Sequence, residues 1–338
     1  MTNMNLGPRR VLTPEHFREH LPMPFELLSQ HAIPEEREAG IARLLRGTID
    51  LHCHSGPSLM PRALDSAQAL SEAQAIGMRA LLVKDHFYSA TPLVIQLQSI
   101  YADRGVTLLS GVPLNNASGG FNVYAVAHGL NLGARYVWMP TLSAANHVAY
   151  EKGKLDPKGN FPRPTRAMPD VEPLTVLASD GSIRDEVKTI LDLIAAHDAV
   201  LSSGHLNILE IWPLFAEART RGVNRFVVNH PTYIIGASLT DIRQLAAMGV
   251  FIEHSIGMYV PVTTENNNRL QELRDVIEAG TVRQTFFGSD LGQRNNGHPA
   301  MGFQHIVNAL IELEFSDEEI IRMTSTNAAE LVGLGMLC

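Results

Sequence analysis

The sequence predicts an α/β fold of the (β/α)8 TIM-barrel type, with an N-terminal helical extension and a long loop after strand 4. Three observations point there. Eight short runs rich in β-formers recur along the chain, and helical patterns separate most of them. The Gly-rich phosphate turn of an open, doubly wound sheet is missing. Eight βα units favour a sheet closed on itself.

The strand runs are 48–53 (TIDLHC), 79–84 (RALLVK), 106–110 (VTLLS) and 135–140 (RYVWMP), followed by 199–204 (AVLSSG), 225–229 (RFVVN), 249–254 (GVFIEH) and 285–289 (TFFGS). Helical patterns cover Ala63–Ile76, Pro92–Arg104, Ile183–His197, Ile208–Arg221, Leu239–Met248 and Leu270–Ala279. Ahead of the first strand, residues 1–46 read as a helical arm, and residues 47–338 as the barrel. Thr13 is a candidate N-cap with Pro14 at the first helical position, and a second helix is expected from Pro34 to Leu45. The arm is a candidate to cover the barrel floor or a partner subunit, and a homo-oligomer is compatible with it. The segment from Thr141 to about Ser182 is long and rich in Pro, Gly and Lys, with a hairpin turn expected at Ala178-Ser179-Asp180-Gly181-Ser182. It leaves the face where barrel active sites lie, which suits a lid.

Composition narrows the function. With 45% hydrophobic and 18% charged residues, the chain has the make-up of an ordinary globular enzyme. A formal charge of −8 provides no basic footprint for nucleic acid. The two cysteines, Cys53 and Cys338, form no C-x-x-C pair and imply no disulfide framework. There is no apolar signal-like core near the start and no apolar run long enough for a membrane span. A cytoplasmic protein that binds neither membrane nor nucleic acid is the expectation.

The histidines carry the chemistry. Six of them, His52, His54, His86, His205, His230 and His254, fall at or just past the end of a predicted strand, and Asp290 ends the eighth in the same way. Two residues apart on a strand, His52 and His54 share a face and offer neutral nitrogens to a divalent metal. Single histidines ending strands five and six, His205 and His230, extend this set, and Asp290 adds a carboxylate able to bind metal and accept a proton.

This arrangement resembles the amidohydrolase superfamily, which places H-x-H on strand one, single histidines on strands five and six, and Asp on strand eight. The tail Asn327-Ala328-Ala329-Glu330-Leu331-Val332-Gly333-Leu334 looks like the family's N-A-A-x-L-x-G-L ending. The resemblance implies a metal-dependent hydrolase whose metal residues are His52, His54, His205, His230 and Asp290, with one or two divalent ions: zinc, or else Mn or Fe. One departure stands out. Two-metal members commonly have a Lys or Glu bridge on strand four, where this chain reads Val137-Trp138-Met139-Pro140-Thr141. Lys84, ending strand two beside His86, is the candidate replacement, either carboxylated as a bridge or as a cation that anchors substrate.

The expected chemistry is water activation and carbonyl polarisation by the metal. Asp290 is expected to move the proton. His86 and His254 are expected to donate to the developing oxyanion, or His254 to orient another ligand. Glu253 is expected to face the helices. Arg62, Tyr233, Arg294 and His298 lie on loops of the active face and suit a small anionic substrate. Amide, lactone and other ester bonds fit. A metal-dependent decarboxylase and a non-catalytic metal-binding barrel are the competing readings.

Overall fold

The computed structural model describes residues 33–153, 164–259, 270–294 and 296–335. The expected Thr13 helix start lies outside them. Eight parallel strands stand in sequence order: β1 (Ile49–Cys53), β2 (Ala80–Val83), β3 (Thr107–Pro113), β4 (Tyr136–Trp138), β5 (Val200–Ser202), β6 (Arg225–Asn229), β7 (Phe251–Ser255) and β8 (Thr285–Gly288). Closure comes from the last strand meeting the first. Asp290 N–H donates to His52 O (2.8 Å), and His54 N–H donates to Leu291 O (2.9 Å). The barrel expected from the sequence is the fold found.

Around it run α1 (Glu35–Leu44), α2 (Ser66–Ala75), α3 (Thr91–Ile100), α4 (Val123–Asn131) and α5 (Ala145–Gly153), then α6 (Asp185–Ala196), α7 (Ile208–Thr220), α8 (Leu239–Ala247), α9 (Leu270–Gln284), α10 (Pro299–Glu312), α11 (Asp317–Ile321) and α12 (Asn327–Val332). Side-chain caps set several starts. Asp65, Asn207, Ser238 and Ser316 each form a reciprocal capping box. Between β3 and β4, Asn122 caps α4 by accepting from Ala125 N–H. Pro34 opens α1 as expected.

Strand alternation sorts the core into two bodies. Ile49, Leu51, Ala80, Leu82, Tyr136, Trp138, Val200, Val227 and Phe286 fill the barrel, while Leu81, Val83, Val137, Leu201, Val228 and Ile252 meet the helices. The rings of Tyr136 and Trp138 fit because Gly111 stands opposite; a Cβ there would lie 2.4 Å from the Trp138 ring.

The barrel floor is covered by α12, whose Ala328, Leu331 and Val332 join the interior body. Helix α1 instead buries Ile41 and Leu44 in the outer layer, beside α10. Asn327 anchors α12 by donating to Val282 O (2.7 Å) and Thr285 O (2.6 Å) at the entry to β8. Asn327→Ala leaves two carbonyls without that donor and should cost about 1–3 kcal/mol, read as a lowered denaturation midpoint.

Candidate metal centre

The site begins with a bulge. The β1–β2 register runs Ile49↔Ala80 and Asp50↔Leu81, then slips to Cys53↔Val83. Ile49 and Leu51 face the barrel interior before the slip, and Cys53 faces the helices after it. The extra residue thereby turns His52 and His54 inward. Asp50 stabilises the bulge, its Oδ1 accepting from His52 N–H (2.9 Å) and Ser289 N–H (2.9 Å). Burial raises the Asp50 pKa to about 6 despite these bonds.

Three ligand atoms converge at the C-terminal mouth. His54 Nε2 lies 3.0 Å and His52 Nε2 3.2 Å from Asp290 Oδ1. Their donor atoms all fall within 4.8 Å of one another, with two buried imidazoles and a carboxylate as the set. That chemistry fits a divalent metal. The Asp290 side chain is 25% exposed against 1% for each histidine, so water reaches the trio at the carboxylate. Burial would raise the Asp290 pKa, but His52 and His54 outweigh it and hold the group well below the usual range. Asp290 and His230 both sit at positive φ, 51° and 31°, uncommon for residues other than glycine.

Lys84 enters from β2, fully buried, with Nζ 2.7 Å from His52 Nε2 and 5.4 Å from the Trp138 ring centroid. Burial lowers its pKa. On β4 the inward positions hold Tyr136 and Trp138 rather than a ligand. His230 stands next along the ring, 6.3 Å from His52 between centroids, and His205 lies 4.9 Å beyond it. Burial lowers both pKa values, His205 well below 6.5 and His230 to about 4. On the other side, His86 stacks on His54 at 4.8 Å. Its Nδ1 meets Thr141 Oγ1 (2.9 Å), which itself accepts from Asn115 Nδ2 (2.7 Å). Thr141 is thus placed to donate its own proton to His86 Nδ1, leaving Nε2–H as the donor of a neutral ring.

Two expectations about β7 reverse. Glu253 faces the barrel, where Oε1 meets His52 Nδ1 (2.5 Å) and Oε2 accepts from Asn229 Nδ2 (2.6 Å). His254 faces the helices against Phe287 and Tyr259, so it cannot serve as an oxyanion donor or orient a ligand. The run Phe251-Ile252-Glu253-His254-Ser255 has no polar alternation to reveal its faces, but a wholly buried Glu needs a partner, and only the interior supplies one. Behind this pair, Gly288 leaves room: a Cβ there would lie 2.8 Å from His52 Cβ and 2.9 Å from Glu253 Cδ.

The loop residues divide. Arg62 is buried, with Nη2 bonded to Asp85 Oδ2 (2.9 Å) and Ser58 Oγ (3.1 Å), while Nε and Nη1 meet no partner among the described residues. Tyr233 is edge-on to His230 at 5.9 Å. Arg294 is exposed. His298, at the N-cap of α10, meets Glu72 Oε1 on α2 through Nδ1 at 2.7 Å and keeps a part-exposed side chain. That hydrogen bond raises its pKa.

Residues 164–182 are tied to the loops that follow β1 and β3. Thr165 N–H donates to Leu59 O (2.9 Å) and Glu172 N–H to Asn116 Oδ1 (3.0 Å). The expected turn is present, with Ala178 N–H donating to Ser182 O (2.8 Å). Within the 141–182 segment α5 brings His147 to His205, a residue that its loop position hid.

The sequence pattern of a family of unknown function, DUF6282, matches residues 47–253. No curated protein sequence matches the chain. Among solved structures, an amidohydrolase from Pseudomonas aeruginosa is similar at TM-score 0.58 and 10% identity, covering 92% of this chain and 98% of that one. A 2,6-dihydroxybenzoate decarboxylase from Rhizobium gives 0.51 and 13%, covering 86% and 99%. A dihydroorotase from Campylobacter jejuni gives 0.50 and 10%, covering 87% and 85%. These identities show a shared fold. Among the described residues, no helix is long and apolar enough to cross a membrane.

Two predictions follow from the packing. Gly288→Ala should separate Glu253 from His52 and destabilise the fold by about 1–3 kcal/mol, as measured by denaturant titration. His254, with neither ring nitrogen bonded among the described residues, is held neutral by burial, which lowers its pKa from 6.5 to about 3. The unfolded chain therefore binds its proton first as pH falls below 6.5, and stability drops through the acid range. His254→Leu should move the acid-unfolding midpoint to lower pH without changing metal content.

Proposed function

We propose that this chain, which belongs to the DUF6282 family, is a metal-dependent hydrolase that cleaves an amide, lactone or other ester bond in a small anionic substrate. The convergence of His52 Nε2, His54 Nε2 and Asp290 Oδ1 at the barrel mouth carries this reading. His52, His54 and Asp290 would hold the ion, with His230 and His205 as further ligands from the neighbouring strands and Lys84 beside them. A divalent ion such as zinc supplies Lewis acidity and lowers the pKa of water when bound.

The chain's own groups then have distinct tasks. Glu253 accepts Nδ1–H of His52, which leaves Nε2 with the lone pair a metal requires. Asp290, the exposed member of the trio, accepts the proton of the attacking water and returns it to the leaving group. His86 donates from Nε2 to oxygen as negative charge develops there, with Thr141 and Asn115 fixing its ring. Arg62 retains two buried nitrogens with no partner among the described residues, which favour a carboxylate on the substrate. Tyr233, against His230, lines the mouth.

Metal analysis of the purified chain, followed by turnover of carboxylate-bearing esters, lactones and amides in ¹⁸O-water, tests the proposal. One ¹⁸O atom should enter the acyl product. His52→Ala and Asp290→Asn should lower turnover by more than about a hundredfold while circular dichroism stays unchanged. Release of CO₂ without ¹⁸O uptake would assign the decarboxylase reading instead.

A further inference from the structure

Helix α5 is clamped onto the strand ends that carry His205 and His230. Asn146 Nδ2 donates to His205 O (3.1 Å) and Ile234 O (2.9 Å), and Asn207 Nδ2 donates to Asn146 Oδ1 (3.3 Å). One turn further on, Tyr150 meets Tyr233 edge-on at 5.7 Å. Between these contacts His147 is buried, 4% exposed, with its ring stacked on His205 at 4.8 Å and 28°. The two Nδ1 atoms lie 2.8 Å apart.

A contact that short between ring nitrogens requires one proton shared between them, one ring donating and the other accepting. The two choices have different consequences. If His147 donates, His205 carries its proton on Nε2 and cannot offer that nitrogen to a metal. If His205 donates, its Nε2 lone pair is free. Ligating histidines ordinarily give their other N–H to an acceptor that fixes the ring and raises its basicity. Carboxylates and backbone carbonyls usually play that part, as Glu253 does for His52. Here another imidazole occupies the place.

We propose that His147 is a positioning residue of the metal centre: it accepts Nδ1–H of His205, selects the tautomer with a free Nε2, and makes α5 a working part of the site. This rests on the metal-centre reading above. Displacement of α5 would release His205.

Zn²⁺ affinity of the full chain, measured by competition with a chelating dye, tests this. His147→Leu should weaken binding by about 10- to 100-fold, whereas His147→Gln, which keeps an acceptor, should stay within about threefold of wild type. The melting temperature of chelator-treated protein should not follow that order. Equal affinity for wild type and His147→Leu, or equal loss in both variants, overturns the inference alone. A wild-type chain that binds no Zn²⁺ overturns the metal-centre reading and this inference with it. Imidazole ¹⁵N spectra of Zn²⁺-loaded wild type give a check free of variants: His205 should carry its proton on Nδ1, and an Nε2-protonated His205 overturns the proposal.

Discussion

A carboxylate buried to 0% exposure costs several kcal/mol unless it is paired and hydrogen-bonded, and Glu253 meets that demand through His52 and Asn229. Much of the site depends on this contact. It exists because a bulge in β1 turns His52 inward and because β8 carries no side chain at Gly288. Asn229 is itself fixed by the Ser202 hydroxyl, so strands β5, β6, β7, β8 and β1 all contribute to one imidazole's orientation. A ring held on both sides cannot rotate away from its partners, and that is the preorganisation a ligand set needs.

The same region closes the barrel. Asp290 and His54 supply the N–H groups that bond β8 to β1 while their side chains form the trio. Asp290 keeps a left-handed backbone conformation, and the seam on either side holds it there. Fold and site are therefore coupled where the cost of strain is spread over a closed ring of strands. Gaps in that seam would release both at once.

The strand and helix alternation was legible because each strand is a short apolar run and each helix has its own period. The H-x-H pair, Lys84 and Asp290 could be placed at strand ends from the pattern alone. Facing was harder. In β1 the inward set switches parity at the bulge, which no sequence spacing announces. In β7 the assignment of Glu253 and His254 inverted, because all five residues are apolar or buried and alternation carries no signal. His298 sat on an active-face loop in sequence yet turned to Glu72, since a helix N-cap position placed it within reach of α2. His147 acts through a tertiary contact far from any strand end, and Asn115, two residues past β3, lies beyond the run 106–110 read as that strand.

Charge balance connects these pieces. Among the groups that meet at the mouth, Asp290 and Glu253 are two carboxylates, against which Lys84 is a single amine whose protonation burial disfavours. His54, His86, His205 and His230 are all held towards neutrality by burial, while His52 and His54 meet Asp290 directly and His52 also meets Glu253. The Arg62–Asp85 ion pair is already balanced within itself. Two carboxylates gathered in a largely buried setting are unfavourable unless a cation or hydrogen-bond donors join them. A divalent ion would reverse the sign when Lys84 is protonated and neutralise the centre when it is not. Either outcome suits the anionic substrate proposed above, which the two carboxylates alone would repel.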